Sequence, residues 1–227
     1  MRQETVTPPP APRRRYREGV RVVAPFTVAV AAFGMSFGVL ARSAGMGRLA
    51  ALVMSATTFA GSAQFAVASI LGAGGGLVAA VAAAVLLNLR YGPIGLSSAP
   101  ALTGSRWRRL VEAQLVVDES WALAQRDGRI DRYLLIGAGA TLYGAWVGGT
   151  VLGLLAGDLI ADPNRLGLDA AFPALFLALL VPQLRTRTRL AAALAGGGLA
   201  VVLVPLTGPG IPVVAASLAC LLGLWER

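Results

Sequence analysis

A charged side chain at the centre of a bilayer costs about 2.5–3.5 kcal/mol on insertion scales, so chemistry is to be sought where polar residues interrupt long apolar runs. Arg90 follows the 17-residue uncharged stretch Ala73 to Leu89 and precedes 15 more uncharged residues. Its guanidinium can pair with a carboxylate, whether that of Asp118, of Glu119 or of a substrate. It can equally be a helix-end arginine that sets membrane orientation. Asn88 lies two positions before it, in the stretch Asn88-Leu89-Arg90-Tyr91. Gln64 stands inside FAGSAQF, Phe59 to Phe65, with Gly61 and Ser62. Small residues there allow close helix approach. A helix that unwinds at Gly61 would instead offer backbone N–H groups to a carboxylate, as half-helix N-termini do in secondary transporters. The same choice arises at Gly34, Ser36 and Gly38, where packing suffices.

Other chemistries are excluded by residue type. The sequence has no histidine, and Cys220 is its one cysteine. No disulfide framework, no Cys/His metal cluster and no nucleophile–histidine pair can be assembled within the chain. No GxxxxGK loop cradles a nucleotide, so the chain is not expected to hydrolyse one itself; neither a cofactor nor a metal is expected, and with no feature for docking an ATPase no ATPase partner is expected. The net charge of +9 comes from 20 basic residues, all arginine. Their position in short tracts between apolar segments marks them as orientation signals, and nucleic acid is not an expected partner.

The elements that must position these residues follow from composition. Of 227 residues, 56% are hydrophobic and 14% charged, against roughly a quarter charged in soluble domains. Uncharged runs at Val22 to Ala41, Leu49 to Leu71, Ala73 to Leu89 and Tyr133 to Ala156 approach or exceed the ~20 residues that cross a bilayer. Leu166 to Leu184 can cross if Asp169 lies at its mouth. Leu190 to Trp225 should break at Thr207 to Pro212 into helices of 17 and 15 residues. Backbone in lipid must satisfy itself, and continuous apolar runs select helices over barrels. The expectation is an all-α integral membrane protein of six or seven transmembrane helices, with broken or re-entrant segments. Residues 1–20 read as a disordered basic tail, rich in Pro and Arg, and 21–227 as a single transmembrane domain.

Arginine counting puts the tail and the tracts Arg106 to Arg109, Arg126 to Arg132 and Arg185 to Arg189 in the cytoplasm, and the loop from Asp158 to Asp169 outside. These assignments conflict in parity. Either the chain bends back near Arg90 to Pro93, or Leu110 to Gln125 is a return span. Read as one helix, that segment carries two polar stripes, Gln114/Asp118/Gln125 and Glu112/Glu119. It suits a helix packed among others, or a connector with solvated charges. Gly144 and Gly148, then Gly149 and Gly153, form two GxxxG pairs for tight helix packing, within the chain or against a partner.

The ordered succession FGMSFGVLA (Phe33 to Ala41), MSATTFAGSAQF (Met54 to Phe65), NLRY (Asn88 to Tyr91), VDESWAL (Val117 to Leu123) and GLDAAFPALF (Gly167 to Phe176) resembles the AzlC family over residues 20 to 225. That is the large subunit of bacterial branched-chain amino-acid exporters. The resemblance implies efflux of leucine, isoleucine, valine and methionine across the bacterial inner membrane, driven by the proton motive force. It also implies a small AzlD-like membrane subunit as partner. Gly61, Ser62, Gln64, Asn88, Arg90, Asp118 and Glu119 fall in the family's polar motifs. An acidic residue such as Asp118 or Glu119 would carry the coupled proton. The alternative from another class is a non-transporting scaffold that assembles a second membrane protein through its glycine faces. An intramembrane enzyme lacks the residues it would need.

Overall fold

The computed structural model describes residues 12–126, 128–157, 177, 180, 181, 184–207 and 211–225. Helix α1 (Pro12–Ser43) starts ten residues before the expected span. Proline is at home in a first helical turn, and the arginines that follow are good helix formers. Tertiary contacts hold this basic stretch: Arg15 Nη1 reaches Asp131 Oδ2 at 2.6 Å, and Tyr16 meets Tyr133 edge-on at 5.1 Å. Residues 12–20, expected in a disordered tail, are therefore helical. α1 also runs through Gly34, Ser36 and Gly38 without the break considered there. The Ser36 hydroxyl donates to Ala32 O inside the helix (3.0 Å).

The expected single span from Leu49 to Leu71 is two half-helices, α2 (Arg48–Thr58) and α3 (Gly61–Gly72). Phe59 separates them in the left-handed region at φ 42°, ψ 48°, a conformation that costs a non-glycine residue about 1–3 kcal/mol. A glycine-rich turn with Gly74 at φ 78° leads into α4 (Leu77–Asn88). Val67, Ile70, Ala80 and Ala83 pack α4 back along α3. The helix then breaks at Leu89 and Arg90, next to the Arg90 to Pro93 stretch where a bend was one of the two alternatives, and α5 (Tyr91–Ser98) follows at a bend of 43°.

Leu110 to Gln125 is not one helix. α6 (Arg106–Ala113) and α7 (Asp118–Ala124) are separate, so the two stripes do not share an axis. The Ser120 hydroxyl takes the Val117 N–H (2.9 Å) and donates to Leu115 O (2.8 Å), which stabilises the intervening turn. At 1.5 Å per residue α6 rises about 12 Å, far short of a bilayer. A pairing the sequence did not foretell follows: β1 (Gln125–Arg126) and β2 (Arg129–Ile130) form a short antiparallel hairpin, with Gly128 at φ 74°. α8 (Arg132–Ala156) begins where Asp131 Oδ1 accepts the N–H groups of Tyr133 (3.1 Å) and Leu134 (3.3 Å).

Further on lie α9 (Arg187–Leu203), α10 (Ile211–Ala216) and a 3₁₀ segment, Ser217–Trp225. The interruption thus falls where the Thr207 to Pro212 stretch was expected to break the run. The expected span Leu166 to Leu184, for the most part, the loop from Asp158 to Asp169 and the GLDAAFPALF motif lie outside the described residues.

The chain forms two compact units. One joins α1 up to Val30 with Tyr91–Ala145, around Leu102, Ala124, Leu134 and Leu135. The other joins Ala31–Arg90 with the chain from Trp146 onward. In both, α1 and α8 lie side by side and parallel. Gly19 meets the Leu134 carbonyl and Gly137 that of Tyr16 in the first; Gly34 faces Trp146, Gly38 Thr150, Gly149 Ala31 and Gly153 Met35 in the second. Partners' numbers rise together, hence the parallel sense. Among the described residues α1 and α8 are long and apolar enough to cross a membrane, and the bent pair α4–α5 counts as a third if it is one span. Val28, Val78 and Val201 are 77%, 85% and 73% exposed, as lipid-facing side chains would be.

Candidate substrate site at a helix break

Gln64 is fully buried in the second unit and organises the gap between α2 and α3. In an unbroken helix the Ala60 N–H would bond to the carbonyl four residues earlier; here Gln64 Oε1 takes it, at 3.3 Å. The same oxygen accepts the Trp146 indole N–H at 3.0 Å. Gln64 Nε2 donates to Ser55 Oγ at 2.8 Å, and Ser55 Oγ lies 2.9 Å from Thr150 Oγ1. Thr150 uses its own proton on the Trp146 carbonyl (3.0 Å), so Ser55 must be the donor to Thr150. The bonds form a closed circuit with one direction: Trp146 N–H to Gln64, Gln64 to Ser55, Ser55 to Thr150, Thr150 to Trp146 C=O.

Aromatic packing seals the circuit from the side. Phe37, Phe65 and Trp146 are mutually in contact, with Phe65 edge-on to both others at 5.9 Å. Gly61, the first residue of α3, lies under the indole: a methyl group there would sit 2.9 Å from Trp146 Cη2. Ser62, the second, accepts from Arg90 Nη2 at 3.1 Å. Since α4 packs back along α3, its last residue, Asn88, returns to the level of this first turn. Asn88 Oδ1 is buried and has no hydrogen-bond partner among the described residues.

Five of the residues singled out in the sequence, Gly61, Ser62, Gln64, Asn88 and Arg90, thus belong to one neighbourhood. Asp118 and Glu119 belong to the first unit. They occupy the first turn of α7, where an acidic residue complements the helix dipole. The buried carboxylate of the first unit is Glu112, 7% exposed, held by Arg132 Nη2 (2.5 Å) and Arg108 Nε (2.9 Å). Burial pushes its pKa up, but the hydrogen bonds and charges of Arg132 and Arg108 outweigh this and hold it below the ordinary carboxylate value. Of the four glycines in the two GxxxG pairs of α8, Gly149 and Gly153 abut the α1 backbone, while side chains at Gly144 and Gly148 would meet open space. Ser55, Thr150 and Trp146 escaped the sequence reading. A lone hydroxyl inside an apolar run was the signal available for the first two.

A helical membrane protein whose second apolar run is split over a buried polar circuit is the class these residues define. The chain belongs to the AzlC family, described as AzlC protein, which matches residues 25–160. It is 35% identical over 214 residues to an uncharacterized membrane protein of Archaeoglobus fulgidus, covering 93% of this chain and 95% of that one. It is 26% identical over 205 residues to the branched-chain amino acid transport protein AzlC of Bacillus subtilis (87% and 80% covered). It is also 26% identical over 202 residues to the inner membrane protein YgaZ of Escherichia coli (82% and 81%). No solved structure matches the chain.

Proposed function

We propose that this chain is the large subunit of a secondary exporter that moves leucine, isoleucine, valine and methionine out of the cytoplasm. In this reading it sits in the inner membrane with its N-terminus inside, uses the proton motive force, and works with a small AzlD-like subunit. The name of the Bacillus relative supports the transport class. The observation that carries the proposal is the helix break at Phe59, with Arg90 on Ser62 in the first turn of α3 and, two positions before Arg90, the buried Asn88 Oδ1, which has no hydrogen-bond partner among the described residues.

An amino-acid zwitterion asks for those three features. Its carboxylate suits the first-turn N–H groups of α3 together with the guanidinium of Arg90. Its ammonium suits Asn88 Oδ1, an acceptor that is costly to leave unmade. The aliphatic side chain needs only apolar surface. Gln64 is fully engaged in the circuit, so its part is to hold α3, while Asp118 or Glu119 is assigned the coupled proton. The short α6 and α7 favour a bend at Leu89–Arg90 over a return span.

The test is efflux from dipeptide-loaded cells. This chain co-expressed with the small subunit should accelerate release of leucine, valine or methionine, and no acceleration of any of them sinks the proposal. A scaffold reading draws on the open space beside Gly144 and Gly148. It requires Arg90→Ala and Asp118→Asn to leave function intact while Gly148→Leu abolishes it.

A further inference from the structure

We infer that Ser55, Thr150 and Trp146 are positioning residues: with Gln64 they form the hydrogen-bond circuit that holds the α2–α3 break open and so fixes the first turn of α3. Nothing in the sequence motifs singles them out for this. The backbone at Phe59 is in an unfavourable conformation, which persists only if its surroundings determine it. The contact that does so directly is Gln64 Oε1 on the Ala60 N–H, because it replaces the bond a continuous helix would make. Gln64 can hold that N–H only while its own amide is oriented. Orientation comes from the indole N–H on one end and Ser55 on the other. Ser55 is a usable acceptor for Gln64 because its proton is drawn to Thr150, and Thr150 is a usable acceptor because its proton goes to the Trp146 carbonyl.

Every member is buried: Ser55, Gln64 and Thr150 are 0% exposed and Trp146 is 6% exposed. Water cannot replace a lost partner there, so removing one hydroxyl unsettles the others. α8 supplies two of the four residues, and Gly34 and Gly38 let α1 close over that stretch of α8. Positions on α8 remote in sequence from the break therefore act on it through Gln64. The transport consequence of this role rests on the export proposal; the positioning itself does not.

The experiment has two arms, on the full chain with its small subunit in membranes. The first places a reporter at the break, Ala60→Cys in a Cys220→Ser background, and measures its rate of labelling by a membrane-permeant maleimide. Thr150→Val, which keeps the volume and removes the hydroxyl, should raise labelling about tenfold. Thr150→Ser, which restores the hydroxyl, should return it to the parent rate. Ser55→Ala is expected to match Thr150→Val and serves if that variant fails to insert. The second arm measures leucine efflux, where Thr150→Val should lower the maximal rate about tenfold and Thr150→Ser should rescue it. Unchanged labelling in both Thr150→Val and Ser55→Ala overturns the inference, as does a Thr150→Ser variant as exposed as Thr150→Val. If the parent chain exports no amino acid, the export proposal fails, and the labelling arm still decides the positioning role.

Discussion

Arg90 Nη2 donates to Ser62 Oγ at 3.1 Å, a contact that spans 28 positions of sequence and ties the end of the α3–α4 hairpin to its beginning. It sets a cation above the N-terminus of α3, where helix and guanidinium attract the same anion. Arg90→Ala should lower amino-acid efflux by at least about tenfold at unchanged membrane abundance, the loss of a charge-assisted contact. Arg90→Lys should recover only part, since a compact ammonium lacks the guanidinium fork. Ser62→Ala should cost less, about fivefold, because it removes a neutral partner. Efflux assays with quantified membrane protein check all three, and normal efflux by Arg90→Ala would reduce the residue to an orientation signal.

The paired glycines of α1 and α8 make a contrast within one helix. Side chains at Gly149 and Gly153 would collide with the Ala31 and Met35 carbonyls, whereas at Gly144 and Gly148 they would meet nothing within 4 Å. Backbone cannot move aside as a flexible side chain can. Gly153→Ala should therefore destabilise the chain by about 1–3 kcal/mol through overpacking. Gly144→Ala should be neutral or slightly stabilising, since alanine favours the helix. Thermal unfolding in detergent, followed by circular dichroism, separates the two, and equal effects would refute the packing assignment.

What the sequence disclosed tracks the range of the forces involved. Uncharged runs report membrane immersion directly, so the α8 span from Tyr133 agrees with the structure to within a residue. Breaks at Arg90 and near Pro212 were visible because a charge or a proline is a local signal. A break at Gly61 was one of two readings of FAGSAQF, and nothing local chose between them, because the break is held by Gln64 and, through Gln64, by Trp146, 82 positions away. The Leu110 to Gln125 segment misled for a related reason. Its periodicity describes one helix, but the Ser120 hydroxyl stabilises a turn that hydropathy cannot see. The pairing of Arg15 with Asp131 is likewise long-range, and without it a Pro/Arg stretch reads as a tail.

Asp131 has two tasks that two substitutions can separate. Its Oδ1 caps α8 through the Tyr133 and Leu134 N–H groups, and its Oδ2 pairs with Arg15. Asp131→Ala removes both and should cost about 1–2 kcal/mol. Asp131→Asn keeps a capping oxygen and should lose only the ion pair, less than about 1 kcal/mol, since Arg15 is partly exposed. The same thermal unfolding reports the order, and a loss from Asp131→Asn as large as that from Asp131→Ala would assign the stability to the pair and not to the cap.

Glu112 supplies the prediction with a pH signature. Its pKa is held below the ordinary value of 4.5 by Arg132 and Arg108 against the opposing effect of burial. A carboxyl depressed in the folded state contributes stability that is present above the unfolded value and is lost as pH falls through the folded one. Stability should thus decline as the medium is acidified from about pH 4.5 downward, and Glu112→Gln should flatten that decline while lowering the plateau at neutral pH. The two arginines differ in weight. The Arg132 side chain is 12% exposed and that of Arg108 54%, so solvent screens the latter. Arg132→Ala leaves a buried carboxylate short of its main partner and should cost on the order of 2 kcal/mol, while Arg108→Ala should cost less than about 1 kcal/mol. Unfolding followed from pH 7 to pH 3 measures both expectations. A Glu112→Gln variant whose acid limb parallels that of the parent chain would show that the decline belongs to another carboxylate.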